Sequence, residues 1–402
     1  MKTKLFILTT AFLLTISFGV LSIKSNFTAK ANLNLAQQDP IPLAPILVIN
    51  TADSGAGSLR AAIAVANQTA GTTIQFNIPI ADTNYTGKVF VIRVNTALPT
   101  ITQATTIIDG ATQTASTNDT NPAGPEIVID GSLAPNGSHG LRFTASSCAV
   151  RSVNIRNFFA GDGIQFANSS RSNTISNCYI GTDESGTAMA GNQTGIRLLD
   201  GSASNTIGGN LATGNVISGN IMDGIVISGN GSDNNLIAGN VIGVDASTGR
   251  NQLPNLNDGI RIAASAKSNN IGSGTSDTAN IISGNLGNGI TLTGTTTNNN
   301  KISSNFIGVL SNNAARSNGQ SGVFITDNAD TNTIGPGNSI AFNSRNGITV
   351  GANSSANGVV RNRISRNSIF MNVGLGIDLG NDGVTLNDNN DGDNGPNTLI
   401  NF

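Results

Sequence analysis

Asn205-Thr206-Ile207, Asn215-Val216-Ile217 and Gly224-Ile225-Val226-Ile227 follow one another within one repeat of this chain. Each reads as a short strand entered through a residue suited to tight turns. The third segment recurs as a Gly-Ile or Gly-Val pair at Gly163, Gly195, Gly224, Gly259, Gly289, Gly322, Gly347 and Gly376. That spacing, about 30 residues, is the size of one supersecondary unit in a repeat protein. Three short strands per unit then stack coil upon coil.

Ile164, Ile196, Ile225, Ile260, Ile290, Val323, Ile348 and Ile377 share one position of the recurring strand. Phe166, Leu198, Ile227, Ile262, Leu292, Ile325, Val350 and Leu379 lie two residues on. A period of two puts both sets on one face. The intervening residues, among them Gln165, Arg197, Val226, Arg261, Thr291 and Asp378, share no chemistry and face outward. The pattern predicts an all-β parallel β-helix with three strands per coil, each coil advancing by about 4.7–4.9 Å. Asparagine outnumbers even the 48 glycines. Asparagines are expected to take left-handed corner conformations and to bond amide to amide between coils, with Gly219, Gly239 and Gly284 at further corners.

Every second coil carries a longer excursion, starting at Gly181, Gly243 and Gly308. A ridge of loops along one side is expected, and loops are where a solenoid carries function. Residues 1–31 read as a signal peptide: Lys2 and Lys4 precede an apolar run from Leu5 to Val20, and Ala29 and Ala31 fit a cleavage site. An uncleaved anchor is the alternative, although the run is short for a span of about 20 residues, and no second long apolar run follows. Residues 32–45 read as a linker, 46–80 as an N-terminal strand and capping helix, and 81–402 as β-helix repeats. Within 46–80, Ser58 suits an N-cap for a helix burying Leu59, Ile63 and Ala66 over the open end of the stack. A secreted or cell-surface location follows. Cys148 and Cys178 fall in different stacks, which favours two buried, unpaired thiols over a bridge.

The core Gly55-Ala56-Gly57-Ser58-Leu59-Arg60-Ala61-Ala62-Ile63 resembles the opening segment of secreted bacterial β-helix proteins of the CSLREA type. Gly57 stands where that family has Cys, and Ala61 where it has Glu. The Asn-x-Ile units and Gly374-Leu375-Gly376-Ile377-Asp378-Leu379-Gly380 resemble the right-handed parallel β-helix repeat of the pectin-lyase-like superfold. The resemblance, covering about residues 46 to 402, implies the right-handed form of the fold. It implies no single activity, because the superfold serves lyases, hydrolases, epimerases, tailspikes and adhesins. It also implies that sequence normally follows Gly395-Pro396-Asn397, hence a truncated C-terminus with a strand edge open to self-association.

Lys and Arg number 21 and Asp and Glu 23, for a net charge of -2. No basic field exists for nucleic acid. With one histidine, His139, multi-histidine chemistry is excluded, and its Gly-Ser-His-Gly setting points to a solvated loop. The candidate catalytic residues are Asp162, Asp223 and Asp258, just before the recurring strand, with Arg197 and Arg261 on its outward position. Neighbouring carboxylates raise one another's pKa, and arginines neutralise a uronate, as lyases and hydrolases require. Asp-Gly is equally a turn pair. Asn387, Asn389, Asp391 and Asp393 offer calcium ligands at alternate positions, without the closing Glu of an EF-hand, since Thr398 stands there.

Regular packing without a complete catalytic constellation favours a non-catalytic, adhesin-like or structural binding surface for glycans. The alternative is a polysaccharide lyase or glycoside hydrolase acting on an acidic polysaccharide. A purely structural stalk is the third option.

Overall fold

The computed structural model describes residues 43–384, apart from 211 and 354, together with residues 395–399. The expected signal peptide and the calcium-ligand set Asn387, Asn389, Asp391 and Asp393 lie outside these residues. Among the described residues, three sheets of 11, 10 and 9 strands are built from parallel neighbours. Each coil gives one strand to each sheet in turn. Thr206–Gly208 joins the first, Val216–Ile217 the second and Ile225–Ser228 the third. The fold is a right-handed parallel β-helix.

Ile196, Ile225, Ile260 and Ile290 are successive register partners in the third sheet, and all four are fully buried. Leu198, Ile227, Ile262 and Leu292 form the companion column. Burying each such side chain contributes about 1.5–3 kcal/mol, so the columns supply most of the driving force along the axis.

The stack begins early, because Ile46–Val48 pairs with Thr73–Phe76 in the first sheet. Between them helix α1 (Leu59–Ala66) is N-capped by Ser58, whose side chain accepts the Ala61 N–H at 3.2 Å. It buries Leu59, Ala62, Ile63 and Ala66. A second helix, α2 (Ala111–Thr117), was not expected from the sequence. Its one buried residue is Gln113, which accepts the Ile78 N–H and donates to Ile78 O, both at 2.9 Å.

Asparagine ladders occupy all three corners. One includes Asn173, Asn205, Asn235, Asn269, Asn300 and Asn332, each donating its backbone N–H and Nδ2 to the Oδ1 of the next. The second includes Asn215, Asn240, Asn280 and Asn305, and the third Asn192, Asn220, Asn255 and Asn285. Their conformation differs from the expectation. These asparagines are not left-handed; the residue before most of them is, as at Ser204 (φ 55°), Asn234 (φ 59°) and Ser268 (φ 57°), but not before Asn192, Asn215, Asn255 or Asn280. Glycine fills that place at Gly219, Gly239 and Gly284, with φ of 77°, 71° and 81°. The ladder bonds hold the strained residue in place from one side. Cys148 and Cys178 head two of the ladders, donating their N–H groups to Asn173 and Asn215, and both thiols are free and buried.

The excursions are small hairpins, closed by the bridges Thr182 to Met189, Val244 to Gln252 and Val309 to Ala315. They touch across two coils: Ala246 N–H donates to Gly186 O at 2.9 Å, and Arg316 Nε to Arg250 O at 2.6 Å. Val244 and Leu310 pack over the outward Val216, Val241 and Ile281 of the second sheet. The ridge therefore covers an apolar outer column.

Candidate functional site

The five candidate catalytic residues stand on or beside the outer face of the third sheet. Register pairs Asp162 with Thr194 and Gln165 with Arg197. Arg197 Nε consequently lies 2.8 Å from Asp162 Oδ1, and its Nη2 2.6 Å from Thr194 Oγ1. Gln165 Nε2 donates to Asp162 Oδ2 at 2.8 Å, and Gln165 Oε1 accepts from Arg142 Nε at 2.8 Å. His139 is half-buried here rather than solvated. Its Nδ1 accepts the Asp162 N–H at 3.0 Å, which puts the ring proton on Nε2. Burial pushes the imidazole below its ordinary pKa, against the Asp162 carboxylate, which raises it.

Further along the axis, Asp223 accepts from Arg261 Nη2 at 3.1 and 2.9 Å, from Asn257 Nδ2 at 2.8 Å and from the Asp258 N–H at 3.1 Å. Asp258 Oδ1 accepts the Asn288 N–H at 2.8 Å. Burial, reinforced by Asp223, raises the Asp258 pKa, against hydrogen bonds from Thr291 and Asn288 that lower it. The candidates thus resolve into two ion pairs, Asp162 with Arg197 and Asp223 with Arg261, plus one adjoining acid. Val226 separates the two arginines in register. Both oxygens of Asp162 and of Asp223 are occupied by donors of the protein itself. Both carboxylates are thereby tied to the protein, Asp162 by two donor groups and Asp223 by three. Arg261 Nε is buried without a partner.

Beside these residues runs a column that the sequence reading passed over. Ile221, Leu256 and Leu286 each lie two residues before the polar positions Asp223, Asp258 and Asn288. They are 37%, 42% and 55% exposed. The Leu256 N–H donates to Asn220 O at 2.9 Å and the Leu286 N–H to Asn255 O at 3.0 Å, so the three are neighbours on consecutive coils. Phe159, also exposed, opens the column, with Gln193 between it and Ile221. The sequence signal was an apolar residue directly after three consecutive third-corner asparagines: Asn220-Ile221, Asn255-Leu256 and Asn285-Leu286.

Among the described residues no group of three His, Cys, Asp or Glu side chains is placed to hold a metal ion. No helix among them is long and apolar enough to cross a membrane.

No protein-family model matches the chain, and no curated protein does either. Solved structures do. A protein described as ORF18 of Geobacillus virus E2 superposes with a TM-score of 0.54 at 10% identity, over 83% of this chain and 59% of that one. The chain therefore spans little more than half of that viral protein. The A-module of the Azotobacter vinelandii mannuronan C-5 epimerase AlgE6 is 16% identical over 82% of this chain and 91% of its own, with a TM-score of 0.45. An alginate lyase from Paenibacillus sp. is 12% identical over 83% and 97%, with a TM-score of 0.38. At such identities the likeness is one of fold.

Proposed function

We propose that this protein binds an extended carbohydrate chain along the outer face of its third sheet, outside the cell, without cleaving it. The alignment of two columns carries the proposal: exposed Ile221, Leu256 and Leu286 run beside Arg197, Asp223, Arg261 and Asp258. A pyranose ring offers C–H groups on its face and hydroxyls at its edge. The apolar column suits the face, and the row of carboxylates, amides and guanidinium groups suits the edge. Both columns repeat at the strand spacing, about 4.7–4.9 Å, so a polymer lies along the axis and meets similar contacts coil after coil. The non-catalytic part is supported by the ion pairing of Asp162 and Asp223 within the protein.

One observation favours a second reading. The raised pKa of Asp258 beside Asp223 is what a proton donor needs, and Arg197 and Arg261 are suited to substrate carboxylates. That combination describes a lyase or hydrolase of an acidic polysaccharide.

One experiment separates the two. The protein is titrated against pectic, alginate and neutral polysaccharides, with and without calcium, while new reducing ends are measured. Binding without new ends is expected, and Leu256→Ser with Leu286→Ser should weaken it about tenfold, the weight of a few contacts. Unchanged affinity in that double variant removes the third-sheet surface from consideration. Reducing ends that vanish in the Asp223→Asn, Asp258→Asn double variant establish the enzyme.

A further inference from the structure

A groove of about 570 Å³ lies on the second sheet, away from the third-sheet columns. That volume falls within the range of small-molecule sites. Tyr179, Val216 and Val241 line it, together with Arg250 of the hairpin ridge and with Asp119 and Glu126. Tyr179 is fixed there by its hydroxyl, which donates to Ala123 O.

Arg250 makes no ion pair among the described residues, although Asp119 and Glu126 also line the groove and Asp245 acts on Arg250 through its charge. Arg250 is half-buried and donates one hydrogen bond, from Nη1 to Asp245 O at 3.2 Å. Among the described residues no carboxylate lies within ion-pair distance of it. The acid of its own hairpin is committed elsewhere: Asp245 Oδ1 accepts from Ser247 and from the Asn251 N–H, and Oδ2 from Asn251 Nδ2. Glu126 is taken up by Thr114 and Thr120, and Asp119 Oδ1 accepts the Asn121 N–H. Arg250 is also held in place, with a left-handed backbone (φ 46°) and a carbonyl bonded by Arg316. A non-glycine residue in that conformation is strained, and the ridge contacts sustain it.

We propose that this groove is a second, separate binding site, for a saccharide bearing a carboxylate or sulfate whose oxyanion seats on Arg250. The guanidinium fork matches such an oxyanion with two parallel hydrogen bonds. Tyr179 and the valines receive the ring face, and Thr114, Asn177 and Ser311 on the walls offer partners for hydroxyls. The site shares no residue with the third-sheet columns, so the two proposals stand or fall separately.

Calorimetric titration of the full chain tests it with four probes: a uronic trisaccharide, a sulfated trisaccharide, a neutral trisaccharide and inorganic sulfate. Binding of the uronic or the sulfated probe, with no binding of the neutral one, is expected, and whichever binds identifies the oxyanion. Arg250→Gln should lower that affinity at least tenfold, with Arg250→Lys intermediate because it keeps the charge and loses the fork. The chain has two tyrosines and no tryptophan, so occupancy should also change tyrosine absorbance, a change absent from Tyr179→Phe. Leu133→Ser, an exposed leucine at neither site, should leave all of this untouched. Equal affinity for the neutral and acidic probes overturns the proposal. So does binding of inorganic sulfate alone, or full affinity in Arg250→Gln. Should Arg250→Gln fail to fold, wild-type affinity in Arg250→Lys for every probe overturns it equally.

Discussion

Asn235 Oδ1 receives two hydrogen bonds from Asn205 one coil away, the backbone N–H at 2.9 Å and Nδ2 at 3.0 Å. Asn235 Nδ2 in turn reaches Asn269 Oδ1 at 2.9 Å and Ser202 O at 3.0 Å. Both side chains are fully buried, so nothing else satisfies these groups. Asn235→Ala should therefore destabilise by about 2–4 kcal/mol, since each buried group left unpaired costs about 1–3 kcal/mol. Asn235→Asp should cost more at neutral pH, because a carboxylate would face two carbonyl oxygens. Urea midpoints check both, and unchanged midpoints would show that the ladder does not bear on stability.

Glycine at the start of the recurring strand is a packing requirement. A Cβ on Gly259 would lie 2.7 Å from Gly289 O and 2.7 Å from Ile282 Cγ2. Gly259→Ala is expected to destabilise by about 1–3 kcal/mol, the usual cost of overpacking. Gly249→Ala is the control, since its nearest neighbour, Ser247 Oγ, is 3.8 Å away. Its melting temperature should match the parent.

The difference between these two glycines shows what a sequence displays. Gly259 belongs to a column whose apolar neighbours repeat with period two, so its strand, its facing and its partners Gly224 and Gly289 were readable from spacing alone. The Asp223 and Arg261 pairing was not read, because the sequence placed both residues beside the recurring strand but assigned Arg261 to a substrate uronate. Helix α2 was not, since it buries Gln113 and has no apolar stripe to announce it. The corner geometry was half legible: asparagine recurrence gave the ladders, but the residue before them is left-handed only at some rungs and is there Ser, Thr, Asn or Gly. The groove was hidden, because Tyr179, Val216 and Arg250 come from different coils and meet only through stacking.

Asp258 should make stability depend on pH in a direction opposite to that of a salt-bridged acid. Its pKa is raised in the folded state, by burial first and by Asp223 further, against Thr291, Asn288 and Arg261. Such a group favours folding in its protonated form and gives up that contribution as pH rises through its folded pKa. Asp258→Asn, which keeps an oxygen for the Asn288 N–H, should be more stable than the parent at pH 7. The gain should vanish as pH falls below the ordinary aspartate value, 3.8. Denaturant midpoints across this range decide it, and a gain that grows on acidification would contradict the assignment.

Cys178 heads its ladder in a fully buried position, with its N–H on Asn215 Oδ1 at 2.9 Å and its Sγ 3.2 Å from Ser176 O. Burial pushes the thiol up to about 12, so essentially no thiolate exists at pH 8. A thiol-specific reagent should leave Cys178 unmodified in the native protein and label it only through unfolding of its coil, at urea concentrations within the unfolding transition. Cys148 heads a different ladder, is also raised by burial, and should follow the same pattern. Because the two ladders occupy different corners, oxidant added to the folded protein should form no Cys148 to Cys178 bridge. Mass spectrometry after labelling at graded urea reads all three expectations. Rapid native labelling of Cys178 would mean that its coil opens far more readily than the continuous ladder and core columns imply.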